Sequence, residues 1–167
     1  MSSEVQPVPE GYATVAPWIV TRDTAREIEF LAAAFDGEEL GRMQQEDGSI
    51  VHAEVRIRDF VVLLFDAKEN WPDTPALLRL YLNDIDEVFA KALRAGATSV
   101  TELRDSPWGD RGGRVRDPLG NIWWLVEHVE EVEPEVQAQR WADPEYIESM
   151  RYVQESLDQE LSRRGST

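Results

Sequence analysis

Apolar positions change their spacing several times along this chain, and each change predicts an element. Val15, Ile19 and Val20 form a short strand-like run. Ile28, Leu31, Ala32 and Phe35 then follow at i, i+3, i+4 and i+7, the single apolar face of a helix. Asp23 or Thr24 is placed to cap its start. Gly37 is placed to close it in the left-handed conformation. Glu39 to Gln45 reads as a strand and Asp47-Gly48 as a hairpin turn. Val51, Ala53, Val55 and Ile57 alternate with His52, Glu54, Arg56 and Arg58, the period-two signature of a half-buried strand. Phe60 to Phe65 is continuously apolar and predicts a more buried strand.

Lys68 to Pro75 is polar, holds two prolines and reads as a linker. The pattern then starts again. Leu78, Leu80 and Leu82 alternate with Arg79 and Tyr81, a strand. Asp84 is placed to cap a helix whose apolar face is Ile85, Val88, Phe89, Ala92 and Leu93, and Gly96 closes it. Thr98 to Leu103 reads as a strand and Pro107 to Gly113 as a loop. Gly113 to Arg116, a turn at Asp117 to Asn121, and Ile122 to Glu127 form a last hairpin.

The two stretches share one order, strand, helix and three strands. Gly37 and Gly96 lie 59 positions apart, and Arg56-Ile57-Arg58-Asp59 returns as Arg114-Val115-Arg116-Asp117 after 58. Each echo is followed by an apolar strand that ends in an acid, Asp66 or Glu127. A common order at a near-constant offset indicates duplication. The predicted units are residues 12–67 and 76–129. A further helix is predicted over 143–164, with Asp143-Pro144 as its cap and first residue and a stripe of Ile147, Met150, Val153 or Gln154, Leu157 and Leu161. Glu130 to Glu135 reads as an acidic connector. The stripe has two candidate partners, the chain's own domain or a second subunit.

Composition narrows the chemistry. The chain has 167 residues, is 42% hydrophobic and contains no cysteine, which excludes disulfides and thiolate sites. No apolar stretch reaches the ~18 residues of a membrane span. Residues 1–11 lack a basic start and an apolar run, so no secretory signal is expected there, and the expected location is the cytoplasm. The net charge is −16, from 33 acidic and 17 basic residues, which disfavours a nucleic-acid partner. The acidity favours a cationic ligand; the alternative reading is an ordinary solvated surface.

Trp108-Gly109-Asp110-Arg111, Gly113-Arg114-Val115-Arg116 and Asp117-Pro118-Leu119-Gly120-Asn121-Ile122-Trp123-Trp124-Leu125 resemble the closing motif of the glyoxalase/bleomycin resistance/dioxygenase (vicinal oxygen chelate) superfamily. The strand Val51 to Ile57 resembles its glyoxalase-like subgroup similar to bleomycin-binding proteins. The resemblance runs from about Tyr12 to Val129. It implies an α+β fold: two βαβββ modules forming a cupped mixed sheet, a half-open barrel, with helices on its outer face. The C-terminal helix is an addition to that fold. The resemblance also implies a small-molecule ligand on the concave face and a homodimer.

Enzymes of that superfamily bind a divalent metal with His and Glu or Gln from the first and last strands of each module. Here the corresponding places fall at Ala16, Leu63, Leu77 and Trp124, none of which is a ligand. No metal or other cofactor is therefore expected. His52 and Glu54 share one strand face but supply two ligands, where catalytic zinc sites commonly use three. His128, beside Glu127, reads as a residue at a strand end.

Strand period turns His52, Glu54, Arg56, Arg79 and Tyr81 to the concave face. The phase of the superfamily's ligand positions, as the resemblance implies it, adds Trp18, Phe65 and Trp124, and Trp108 lies in a loop at the rim. Trp123 is expected to face a helix. Plain core packing is the alternative for the aromatics. The sequence thus predicts a small-molecule binding protein of the glyoxalase/bleomycin resistance type, taking an aromatic or cationic ligand without metal catalysis. A metal-dependent lyase, isomerase or dioxygenase with a non-standard site, and an interaction module using the C-terminal helix, are its rivals. Whether a reaction is catalysed stays open.

Overall fold

The computed structural model describes residues 5–164. The chain divides into two compact units between Ala76 and Leu77. The first contains β1 (Trp18–Thr21), α1 (Thr24–Phe35), β2 (Glu38–Gln44), β3 (Ile50–Ile57) and β4 (Phe60–Asp66). The second contains β5 (Leu77–Tyr81), α2 (Ile85–Arg94), β6 (Thr98–Asp105), β7 (Asp110–Arg116) and β8 (Ile122–His128), then α3 (Pro134–Ala142) and α4 (Pro144–Arg164). Each unit builds one four-stranded mixed sheet, in the orders β1-β4-β3-β2 and β5-β8-β7-β6. The first strand of each runs parallel to the last, and the other pairs are antiparallel. There is no closed barrel among the described residues, and the α+β fold with its C-terminal helix is the expected one.

The acids that end β4 and β8 explain part of the repeat. Asp66 accepts a hydrogen bond from the Thr24 N–H at 2.8 Å, and Glu127 accepts one from the Ile85 N–H at 3.0 Å. Each carboxylate thus meets a free donor at the start of its own unit's helix, where negative charge is favoured. In α1 the N-cap Asp23 adds a bond from the Arg26 N–H at 3.0 Å. Asp84, expected to cap α2, instead adopts a left-handed backbone and makes no capping bond, because Glu127 holds that place.

Other expectations shift in similar ways. Asp36, with φ 56°, takes the left-handed position that closes α1. Gly37 serves close approach instead: a Cβ there would lie 3.0 Å from both the Leu31 carbonyl oxygen and Val55 Cγ1. β7 begins at Asp110, within the segment expected to be a loop, because Gly109 turns the chain sharply. Gly109 has φ 93°, and a Cβ would fall 2.0 Å from the Glu130 carbonyl oxygen. The acidic connector is shorter than expected, since Pro134 starts α3 as a first-turn proline.

The cores sit between each helix and one face of its sheet. Ala53, Val55 and Ile57 are buried as the alternation requires, while Val51, at the open end of β3, is exposed. In the second unit Val115, Trp123 and Leu125 are fully buried toward α2. The Trp123 indole N–H donates to Asp117 Oδ2 at 2.8 Å. No described helix is long and apolar enough to cross a membrane.

Candidate functional site

The second sheet's other face carries the chemistry. Register places four residues in one row across it, Arg79 on β5, Trp124 on β8, Arg114 on β7 and Thr101 on β6. The helix α4 crosses this same face at the β6 edge. The Ser156 and Thr101 hydroxyls lie 2.7 Å apart, the Glu102 N–H donates to the Tyr152 hydroxyl at 2.9 Å, and Arg116 pairs with Glu160 at 2.6 Å. The tail therefore packs within its own unit. Between helix and sheet lies a cavity of about 180 Å³. Arg79, Trp108, Asp110, Arg114, Trp124 and Val126 form one wall, and Trp141, Met150 and Val153 form the other.

Asp110 organises one end. Its carboxylate is buried and accepts from Arg79 Nη2 and Trp108 Nε1, each at 2.8 Å, and lies 2.8 Å from His128 Nδ1. The hydrogen bond to Asp110, with a further one to Glu131, raises the His128 pKa above its ordinary 6.5. A raised value means that this pair stabilises the fold fully below about pH 6.5 and loses that contribution as pH rises through the folded-state value. An NMR titration should find the His128 ring midpoint above 6.5, and Asp110→Asn should lower it. An unchanged midpoint in that variant would remove Asp110 as the cause.

Arg114 organises the middle. Because β5 and β7 flank β8, the Arg79 and Arg114 guanidiniums lie against the Trp124 ring, 4.6 and 4.0 Å from its centroid. Such cation–π contacts hold planar cations without neutralising them. Arg114 Nη1 donates to Thr101 Oγ1 at 3.1 Å and to the Val153 carbonyl at 2.7 Å, while its Nε has no hydrogen-bond partner. Burial first, then the like charge of Arg79, pushes the Arg114 pKa down to about 10, so the group is still a cation at neutral pH.

The first unit gathers a second set. His52 Nε2 lies 2.9 Å from Glu54 Oε1, and the Tyr12 hydroxyl donates to the other Glu54 oxygen. Tyr12 foremost and His52 after it hold the Glu54 carboxyl below its ordinary range. Trp18 meets His52 and Phe65 edge-on, at ring separations of 5.5 and 5.2 Å. Arg56 reaches to Glu38, at 3.5 Å.

Of the residues singled out in the sequence, Arg79, Trp108 and Trp124 meet at the cavity of the second unit. Tyr81 is exposed beside it and stacks on Arg79, 4.8 Å from its ring centroid. Trp18, His52, Glu54, Arg56 and Phe65 all belong to the first unit. Sequence reasoning missed Arg114, although it shares the alternation of β7 that leaves Val115 buried. It missed Asp110 because that residue falls in the segment read as a loop, and Trp141 because no element was predicted between the acidic connector and Asp143.

The superfamily's metal chemistry does not fit these residues. In the first unit the row is Trp18, Leu63, Glu54, so the cross-strand neighbour of Glu54 is aliphatic. In the second, a dication beside Trp124 would face two guanidiniums. Among the described residues, no group of three or more acidic or histidine side chains is arranged to hold a metal ion.

The profile of the Glyoxalase/Bleomycin resistance protein/Dioxygenase superfamily matches residues 11–125. The chain belongs to this superfamily. An uncharacterized protein of Mycobacterium bovis is 43% identical over 136 residues, covering 74% of this chain and 90% of its own length. The crystal structure of TioX from a Micromonospora species aligns with a TM-score of 0.60 and 28% identity, covering 70% of this chain and 99% of that one. The fosfomycin resistance protein FosX from Mesorhizobium loti aligns with a TM-score of 0.53 at 15% identity, over 69% of this chain and 91% of its own, a likeness of fold. The profile match ends before α3, so the helix wall of the cavity lies outside the superfamily's common core.

Proposed function

We propose that this chain is a cytoplasmic small-molecule binding protein, a homodimer like many of its superfamily, that takes an aromatic ligand into the cavity of its second unit without metal catalysis. The observation that carries the reading is the cavity itself: tryptophan and aliphatic walls, a few fixed polar groups, and about 180 Å³ of space. Apolar and aromatic walls with a few placed polar groups are the usual lining of a small-molecule site. Apolar cavities of roughly 150 Å³ admit benzene, so one or two fused rings suit this one. Superfamily membership supports the same class of function.

Of the two ligand characters expected from the sequence, the cavity favours the aromatic over the cationic. Arg79, Arg104 and Arg114 line it against the single carboxylate of Asp110. The absence of metal catalysis is supported by Trp124 at the place of the usual carboxylate and by the two guanidiniums against it. The interaction-module reading is weakened because α4 already buries Ser156 and Glu160 against its own sheet.

Titration calorimetry and tryptophan fluorescence against a panel of one- and two-ring aromatics test the reading. Saturable binding is expected, with a fluorescence change from Trp108, Trp124 or Trp141. No binding by any compound at sub-millimolar concentration would overturn it. Elemental analysis of the purified protein should find no stoichiometric metal. Metal present at one equivalent and lost in His52→Ala would replace the reading with a metal-dependent lyase, isomerase or dioxygenase.

A further inference from the structure

Arg114 is an anomaly as a structural residue. It is 3% exposed, and its neighbours in the row are Trp124 and Thr101, neither of which carries charge. Its two hydrogen-bond acceptors, the Thr101 hydroxyl and the Val153 carbonyl, are neutral, and its Nε has no partner. Among the described residues Arg114 forms no ion pair, and its charged neighbour across the Trp124 ring is the like charge of Arg79. Buried charges are ordinarily paired, because desolvating an isolated ion costs several kcal/mol. Asp110 does not fill the gap, since Arg79, Trp108 and His128 already occupy it.

The rest of the cavity points the same way. Arg104, the third cation lining it, lies over the Tyr152 ring at 4.6 Å and donates to the Leu103 carbonyl. Arg104 is exposed and also borders Asp105, Glu145 and Glu148. With Arg79 balanced by Asp110, it is Arg114 alone that stands as a buried, unpaired positive charge beside this small space, in a chain of net charge −16. In the first unit the equivalent position of the row holds an acid, Glu54, whose partners are Tyr12 and His52. The duplication therefore diverged into opposite charge at this position.

We propose that the cavity of the second unit is an anion site, in which Arg114 takes the carboxylate, or a like planar or tetrahedral oxyanion, of an aromatic acid whose ring lies among the tryptophans. This rests on the reading of that cavity as the binding site and fixes the charge of its ligand. Arg114 offers planar N–H donors suited to two oxygens. The oxyanion supplies the missing counter-charge, and the apolar walls strengthen the pair by excluding water.

The test is calorimetry on the full-length protein with three matched probes: 1-naphthoate, 1-naphthamide and 1-naphthylmethylamine. Naphthoate should bind at least ~10-fold more tightly than the amide, the discrimination expected of a charge-assisted hydrogen bond in a buried site. The amine should bind most weakly. Arg114→Met, which keeps the length of the side chain, should remove the preference for naphthoate over the amide. Arg114→Lys should retain part of it.

Equal or tighter binding of the amide or the amine would overturn the anion site while leaving the cavity a binding site. Unchanged naphthoate affinity in Arg114→Met would overturn the role of Arg114. Failure of all three probes would overturn the anion site, and the wider panel of one- and two-ring aromatics then decides separately whether the cavity binds at all. Should Arg114→Met not fold, the ranking of the three probes on the unaltered protein still decides, because it needs no variant.

Discussion

Replacing Asp117 by alanine should destabilise the protein by about 3–5 kcal/mol, the largest single-residue loss expected outside the apolar core. Asp117 is buried, and its carboxylate accepts three hydrogen bonds. Oδ1 takes the Leu119 and Asn121 N–H groups at 2.8 and 2.9 Å, and Oδ2 takes the Trp123 indole N–H at 2.8 Å. Alanine removes all three acceptors at once, and each buried donor that loses its acceptor costs about 1–3 kcal/mol. The three donors also fix the β7–β8 turn and anchor Trp123 in the core. Chemical denaturation, followed by tryptophan fluorescence, should show a midpoint lowered at unchanged slope. Asp117→Asn keeps one carbonyl oxygen and should lose less. A loss below about 1 kcal/mol for the alanine variant would show that the turn is held by its backbone bonds alone.

The same residue shows why the scaffold was legible in the sequence. Asp117-Pro118-Leu119-Gly120-Asn121 is a local motif, whose Asp side chain bonds N–H groups two and four residues ahead. Such information lies within one short window, as do the alternation of β3 and the apolar face of α1. Asp66 and Glu127 were visible as a recurring acid, but their capping of helices 42 residues earlier was not. No local signal marks a bond of that separation.

The site was less legible for the same reason. Trp124, Arg79 and Trp108 followed from strand phase and from the resemblance. Arg114 is half of a repeated R-x-R-D echo, and the echo pairs it with Arg56. The hydrogen-bond register instead places Arg114 opposite Trp124 and Glu54 opposite Leu63. The turn after β7 is longer than the turn after β3, which shifts the rows relative to the motif. The cavity's second wall comes from α3 and α4, beyond the repeat, and nothing in the tail's own periodicity names the sheet face it covers. Its stripe was read as apolar, yet the side chains it buries most deeply are Ser156 and Glu160.

Glu160 is the residue on which that wall should depend. Replacing it by alanine should cost about 1.5–3 kcal/mol, with the loss concentrated in α4. Its carboxylate is 3% exposed and accepts from Arg116 on β7 at 2.6 Å, from Arg163 at 2.6 Å and from Arg164 at 3.2 Å. The partly exposed arginines can return to water, so the figure lies below that for a fully buried pair. Burial alone would raise the Glu160 carboxyl, but Arg116, Arg164 and Arg163 outweigh it and hold it below its ordinary 4.5. A lowered value means that the contribution is complete above about pH 4.5 and is lost as pH falls through the folded-state value. Amide-exchange protection factors across 144–164, taken relative to the intrinsic rate at each pH, should therefore fall in Glu160→Ala at neutral pH and in the unaltered protein below pH 4.5. Glu160→Gln should show an intermediate effect at neutral pH and a weaker acid dependence. Unchanged exchange in the alanine variant would show that Ser156, Tyr152 and the apolar contacts hold the helix without it. Met150 and Val153 lie on the same helix and line the cavity, and the Val153 carbonyl accepts from Arg114. Aromatic probes should accordingly bind more weakly wherever α4 loses protection. Affinity that survives the loss of protection would separate the helix from the site and leave the sheet face alone as the binding surface.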